Sequence, residues 1–110
     1  MENFMTRAEK IQKLLIKLEN NMRKHNLWSN KTPNPAGLNS KVAFAADYFS
    51  FSEWLQWIFI PKTRYLIQQK VELPHNCNIL PIAEEAWKGL ENITDLLYLI
   101  QEIDHSFQEN

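Results

Sequence analysis

The chain has 110 residues, 45% of them hydrophobic, and a formal net charge of −1 at pH 7, a size that supports one domain with its own core and no need of disulfides or metal. It holds two glycines and one cysteine, too few glycines for a turn-rich all-β fold at an average usage of about 7%, and a lone Cys77 excludes an internal disulfide. No apolar run approaches the roughly 18 residues of a membrane span, and Met1-Glu2-Asn3-Phe4-Met5-Thr6-Arg7 lacks the basic-then-apolar plan of a secretory leader, so a soluble cytoplasmic protein is expected.

Charge is uneven. Residues 1–46 carry eight Lys or Arg against three Asp or Glu, and residues 47–110 carry four against ten. The halves can attract each other, or the basic one can meet an anionic partner.

Ala8, Ile11, Leu15, Leu18 and Met22 recur at steps of three and four, the mark of an amphipathic helix. Thr6 with Glu9 makes a capping box, so the first helix is expected over residues 6–26. Residues 27–48 change character: Pro33, Pro35, Gly37 and several Asn and Ser separate apolar anchors at Trp28, Leu38, Val42 and Phe44. They read as a long ordered loop whose anchors lid the core, and loops beyond roughly 12–15 residues are often functional.

Ser50 and Glu53 form a second capping box. Phe51, Trp54, Leu55, Trp57, Ile58, Phe59 and Ile60 then place apolar side chains on nearly every side, the pattern of a buried central helix. Pro61 has no N–H to bond back to Trp57 and crowds that carbonyl, so a kink or break is expected there, with Tyr65, Leu66 and Ile67 resuming the apolar face. A strand over residues 57–60 fits propensity but finds no partner strand. After a connector at residues 71–80, Pro81 opens a short helix through Trp87, with Gly89 as its left-handed stop. Ile93, Leu96, Leu97, Ile100, Ile103 and Phe107 mark a last helix. The expected fold is all-α: a single-domain bundle of about four helices over residues 1–110, with a long ordered loop between the first and second and the oligomeric state open.

Glu53-Trp54-Leu55-Gln56-Trp57 followed by Ile60-Pro61, with Leu38-Asn39-Ser40 and Phe44 upstream and Leu73-Pro74 downstream, resembles the YqcC-like family of small bacterial proteins over nearly the whole chain. A first helix ending near His25, followed by Trp28, is similar too. The resemblance implies an all-helical single domain without an established biochemical role. It also implies a link to tRNA modification, because members are encoded in some bacteria beside a tRNA pseudouridine synthase. Such an enzyme presents a nucleophilic Asp in a large mixed sheet, which a four-helix chain does not offer, so the implied role is that of an accessory.

On the first helix Lys10, Lys13, Lys17 and Lys24 fall within an arc of roughly 60° at 100° per residue. Arg7 extends this basic stripe, and Arg23 and Lys31 lie near it. The stripe is either a solvated face or a contact for an acidic protein or phosphate, and phosphate binding would weaken steeply with salt. RNA readers add exposed aromatics on which bases stack. Trp54, Trp57 and Trp87 lie among apolar neighbours and are expected in the core, which leaves Trp28 as the partly open ring.

Glu53 caps its own helix or pairs with Lys62 or Arg64. Alternatively it faces a pocket with Asn39, Ser40 and Tyr48, making a small-ligand or catalytic site. His25, His75, His105 and Cys77 show no metal-ligand spacing, and the acidic half offers Cys77 no electropositive setting. No Gly-rich phosphate loop or serine elbow occurs, so no catalytic residue, metal or cofactor is assigned. The expectation is a non-enzymatic module that binds an unidentified protein partner through the first helix and the loop. The alternatives are an accessory contacting tRNA or a tRNA-modifying enzyme through Lys10, Lys13, Lys17 and Lys24, and a ligand site around Asn39, Ser40 and Glu53.

Overall fold

The Thr6 hydroxyl accepts the Glu9 N–H at 3.1 Å while the Glu9 carboxylate accepts the Thr6 N–H at 3.3 Å, so the expected capping box opens α1 (Arg7–Lys24). The computed structural model describes residues 5–109; residues 1–4, on which part of the leader expectation rests, and residue 110 lie outside the described residues. Helix α1 stops at Asn26, whose φ is 61°. The Asn26 N–H bonds to the Arg23 carbonyl and the Leu27 N–H to the Met22 carbonyl, a Schellman stop in which Asn takes the usual place of Gly.

The following loop carries α2 (Pro35–Leu38) and a 3-10 turn (Ala43–Ala45). Gly37 is buried because the Phe49 ring lies on it, and a Cβ at this position would collide with that ring. Phe49 in turn meets Trp57 edge-on with centroids 5.0 Å apart, which pins the end of the loop to the helix that follows. Trp28 and Phe44 pack against the core as expected, whereas Leu38 and Val42 stay exposed; Ala45 and Phe49 supply the burial in their stead.

Helix α3 (Phe51–Trp54), a π-helical turn (Leu55–Phe59) and α4 (Ile60–Gln68) form one uninterrupted run. Pro61 therefore does not split the helix. The Ile60 N–H reaches back five residues to the Leu55 carbonyl, and this widened turn sits immediately before the proline, where the regular ladder would lose a donor and meet the ring. Burial of the run is one-sided, which corrects the expectation of an enclosed central helix. Phe51, Leu55 and Ile60 are buried, but Trp54, Trp57, Ile58 and Phe59 are only half-buried and Tyr65 is exposed. Of the three tryptophans expected in the core, Trp87 alone is fully there.

Helix α5 (Leu80–Ala86) has Pro81 in its first turn, and α6 (Thr94–Gln108) closes the fold. Gly89 is not a left-handed stop; no described glycine has a positive φ, and Asn92 at 58° takes that conformation in the connection. Helices α1 and α6 run antiparallel, Lys10 lying beside Glu109 at one end and Lys24 beside Asp95 at the other. Between them Ile11, Leu15, Leu18, Leu96, Ile100 and Ile103 are completely buried, each contributing about 1.5–3 kcal/mol by leaving water. Helix α4 lies against α1, and α5 against α6 and α3. Four helices of seven residues or more thus make an all-α bundle, and no helix among the described residues is long and apolar enough to cross a membrane.

Candidate functional site

The basic stripe lies on the seam with α6, and that helix neutralises its ends. Lys10 pairs with Glu109 at 2.9 Å and Lys24 with Asp95 at 3.0 Å, while His25 Nε2 lies 3.0 Å from Asp95 Oδ1. The hydrogen bond from Lys24 holds the Asp95 carboxyl below its ordinary range, helped by His25 and the Leu96 N–H against a smaller opposing effect of desolvation. Lys13 and Lys17 form no ion pair with a described residue and line a shallow surface with Lys10, Glu102 and Ser106. Arg7 does not extend the stripe. Its guanidinium donates to the carbonyls of Leu73 at 2.6 Å, Pro74 at 2.9 Å and Phe107 at 2.6 Å, clamping the connector to the last turn of α6, whose carbonyls have no intrahelical donor.

Trp28 and Glu53 come together at an open surface that Trp87 also lines. Arg23 lies over the Trp28 ring, 5.0 Å from its centroid, a cation–π contact. Glu53 accepts the Ser50 N–H at 2.9 Å while Ser50 Oγ accepts the Glu53 N–H at 3.2 Å, which is the capping role. Arg64 reaches Glu19 at 3.8 Å. Asn39 and Ser40 do not line the surface that Glu53 shares. Asn39 donates to the Pro35 carbonyl at 3.2 Å, and Ser40 donates to Asp47 at 2.6 Å and accepts the Val42 N–H at 3.1 Å, so both tie the loop to itself.

Half-buried aromatic rings also gather elsewhere, at Phe44, Trp54 and Phe59. A cleft of about 390 Å³ opens between the α3–α4 run and residues 74–79, with Trp54, Ile58, Phe59 and Phe107 among its walls. Phe44 meets Trp54 edge-on at 4.8 Å, Trp54 meets Phe59 at 5.3 Å, and Phe59 meets Phe107 at 5.8 Å. Among the described residues Lys62 is the one charged side chain lining this cleft. Phe44 and Ala45 have φ of 58° and 49°, a left-handed conformation that costs an L residue about 1–2 kcal/mol. An all-round apolar helix reads as buried from sequence; here the face that completes the enclosure is open, as at interaction surfaces.

Behind the cleft, buried Asp104 accepts the Ile79 and Leu80 N–H groups at 2.9 Å each and the Cys77 thiol at 3.3 Å. It serves α5 as a cap supplied from α6. Burial pushes the Cys77 thiol up, and the negative charge of Asp104 and their hydrogen bond push it further, which favours the thiol over the more nucleophilic thiolate. Sequence reading missed Asp104, although its place on the apolar face with Ile100, Ile103 and Phe107 is a signal. Among the described residues no group of three His, Cys, Asp or Glu side chains is arranged to hold a metal ion.

Comparison with known proteins agrees with this architecture. A family model described as tRNA pseudouridine synthase C (DUF446) matches residues 10–106. An uncharacterized protein of Haemophilus influenzae is 36% identical over 83 residues, 76% of this chain and 78% of that protein. The uncharacterized protein YqcC of Escherichia coli is 35% identical over 82 residues, 74% of this chain and 75% of that one. The chain belongs to the YqcC-like family. The solution NMR structure of E. coli YqcC, 30% identical, matches with a TM-score of 0.84 over 96% of this chain and 91% of its own, so the four-helix fold is the YqcC fold. A Pectobacterium carotovorum protein named tRNA pseudouridine synthase C is 29% identical over 85 residues, 77% of this chain but 23% of that protein. The YqcC-like chain therefore spans under a quarter of that protein's length.

Proposed function

We propose that this chain is a non-catalytic binding module that offers the cleft walled by Trp54 and Phe59 to a protein partner. One observation carries the reading: half-buried aromatic rings line one open face of the α3–α4 run, the kind of apolar surface that anchors interfaces. The basic stripe supports a partner contact less well, because α6 already occupies Lys10 and Lys24.

The partner class we propose is a tRNA-modifying enzyme, which sets the work in the cytoplasm. Support comes from the Pectobacterium protein named tRNA pseudouridine synthase C, in which the similar stretch fills 23% of the length and leaves ample chain for a catalytic domain.

The test is co-expression of the chain with the tRNA pseudouridine synthase of the same cell, followed by size-exclusion chromatography with and without ribonuclease. Nuclease-resistant co-elution that Trp54→Ala abolishes is the expected result. Failure of the unaltered chain to co-elute rules the enzyme out as partner.

A second reading, direct contact with tRNA, is favoured by the lack of ion pairs at Lys13 and Lys17. Two phosphate contacts predict a slope of about −2 for log affinity against log salt. Charge reversal at Lys13 and Lys17 would remove the binding, and tRNA affinity that ignores this change sinks the reading.

A further inference from the structure

Building on the cleft as docking site, we propose that Phe44 is a resident plug which the partner displaces. The docking segment then presents one large apolar side chain next to a carboxylate.

Phe44 stands in for the occupant. Its ring lies edge-on to Trp54 and lines the cleft, yet it is carried by two consecutive left-handed residues, neither of them glycine. Such backbone persists only where surrounding contacts hold it; here the half-buried Phe44 ring packs on Trp54, and buried Ala45 accepts the Tyr48 and Phe49 N–H groups at 2.9 Å each. The loop is anchored on both sides. The Ser40 hydroxyl closes onto Asp47, and Phe49 is locked between Gly37 and Trp57. Withdrawing the ring would then shift residues 41–46, release the Tyr48 and Phe49 N–H groups from the Ala45 carbonyl and relax both φ angles together.

Charge specifies the rest of the occupant. Lys62 alone among the lining residues is charged, and it pairs with no described acid. A cation beside an aromatic wall selects an apolar group carrying an anion, since a neutral apolar group gains nothing from it and a cation is repelled.

The test uses the full ¹⁵N-labelled chain, titrated with 4-phenylbutyrate and with its neutral amide, read by the amide shifts of Lys62, Thr63, Cys77 and Asn78. Saturable shifts are expected with the carboxylate, with the amide about tenfold weaker, and Lys62→Met should erase the difference. Phe44→Ala, which removes the plug, should bind the carboxylate about tenfold more tightly. Ala45→Gly, which relieves the left-handed strain with the plug in place, should bind it about threefold more weakly, and it reports even where Phe44→Ala does not fold. Equal affinity for acid and amide, shifts outside the cleft, or an unchanged or weaker Phe44→Ala overturns the proposal, as does an Ala45→Gly chain that binds no more weakly. Probe binding of the expected kind without synthase co-elution removes only the enzyme partner. Co-elution through the cleft that Phe44→Ala leaves unchanged removes only the plug.

Discussion

The side-chain amide of Gln56 and the backbone of Ser29 exchange two hydrogen bonds, each 2.8 Å long. Gln56 Oε1 accepts the Ser29 N–H and Nε2 donates to its carbonyl, so one side chain satisfies both polar groups of a residue 27 positions away. Gln56→Glu keeps size and one acceptor but sets a carboxylate against a carbonyl. A loss of about 1–3 kcal/mol is expected from the unmade bond, visible as a lower urea midpoint with an unchanged slope.

Asp104→Asn should cost about 2–4 kcal/mol, because bonds to a charged acceptor are the stronger ones and an amide NH₂ would face a backbone N–H in a buried site. Hydrogen exchange locates the damage. The Ile79 and Leu80 amides should lose protection before those in the middle of α1.

Gly37→Ala drives a methyl into the Phe49 ring, and overpacking of this kind costs about 1–3 kcal/mol. Combined with Phe49→Leu, the cost of Gly37→Ala should shrink by more than half, as contacting residues couple. Additive losses in that double-mutant cycle would place the strain elsewhere.

Asp95 should contribute to the acid limb of the stability curve. Its carboxyl is held below the ordinary 3.8, chiefly by the Lys24 hydrogen bond. The folded chain therefore gives up the charge less readily than the unfolded one, and the contribution is complete above that value and lost as pH falls below it. Asp95→Asn should flatten the acid decline in melting temperature. The difference should fade at 1 M NaCl, since the pair is open to solvent.

Cys77 acts on the other limb. Burial, the charge of Asp104 and their hydrogen bond raise the thiol above its ordinary 9.0, so above that pH the unfolded chain ionises while the folded chain does not. Stability should fall as pH rises beyond about 9, and Cys77→Ser should lessen the fall. Iodoacetamide at pH 8 should label the native chain far more slowly than the urea-unfolded one.

Thr6 with Glu9 and Ser50 with Glu53 are legible in the sequence because each box is built within four consecutive residues, and the apolar stripes of α1 and α6 repeat without interruption. The clamp by Arg7 is not legible, since its acceptors lie 66 to 100 residues away and nothing local marks them. Pro61 misleads only in suggesting a break, and for a different reason. The rule for a proline within a helix assumes a regular ladder upstream, and the π-helical turn before it has already changed that ladder. The cleft stays hidden because periodicity reports how apolar a face is, and Trp54 and Phe59 are as apolar facing a gap as they would be facing a core.

The Arg7 guanidinium spans from the first turn of α1 to the last turn of α6, and because these helices run antiparallel, both ends of the described chain leave from one pole of the molecule. Tension applied to the two ends would load the Arg7 bonds first and then peel α1 from α6 rung by rung, rather than shearing the whole seam at once. In a single-molecule pulling experiment the domain should open at low force. Substituting Arg7 should lower that force further, while substitutions at the far pole, such as at Lys24, leave it unchanged.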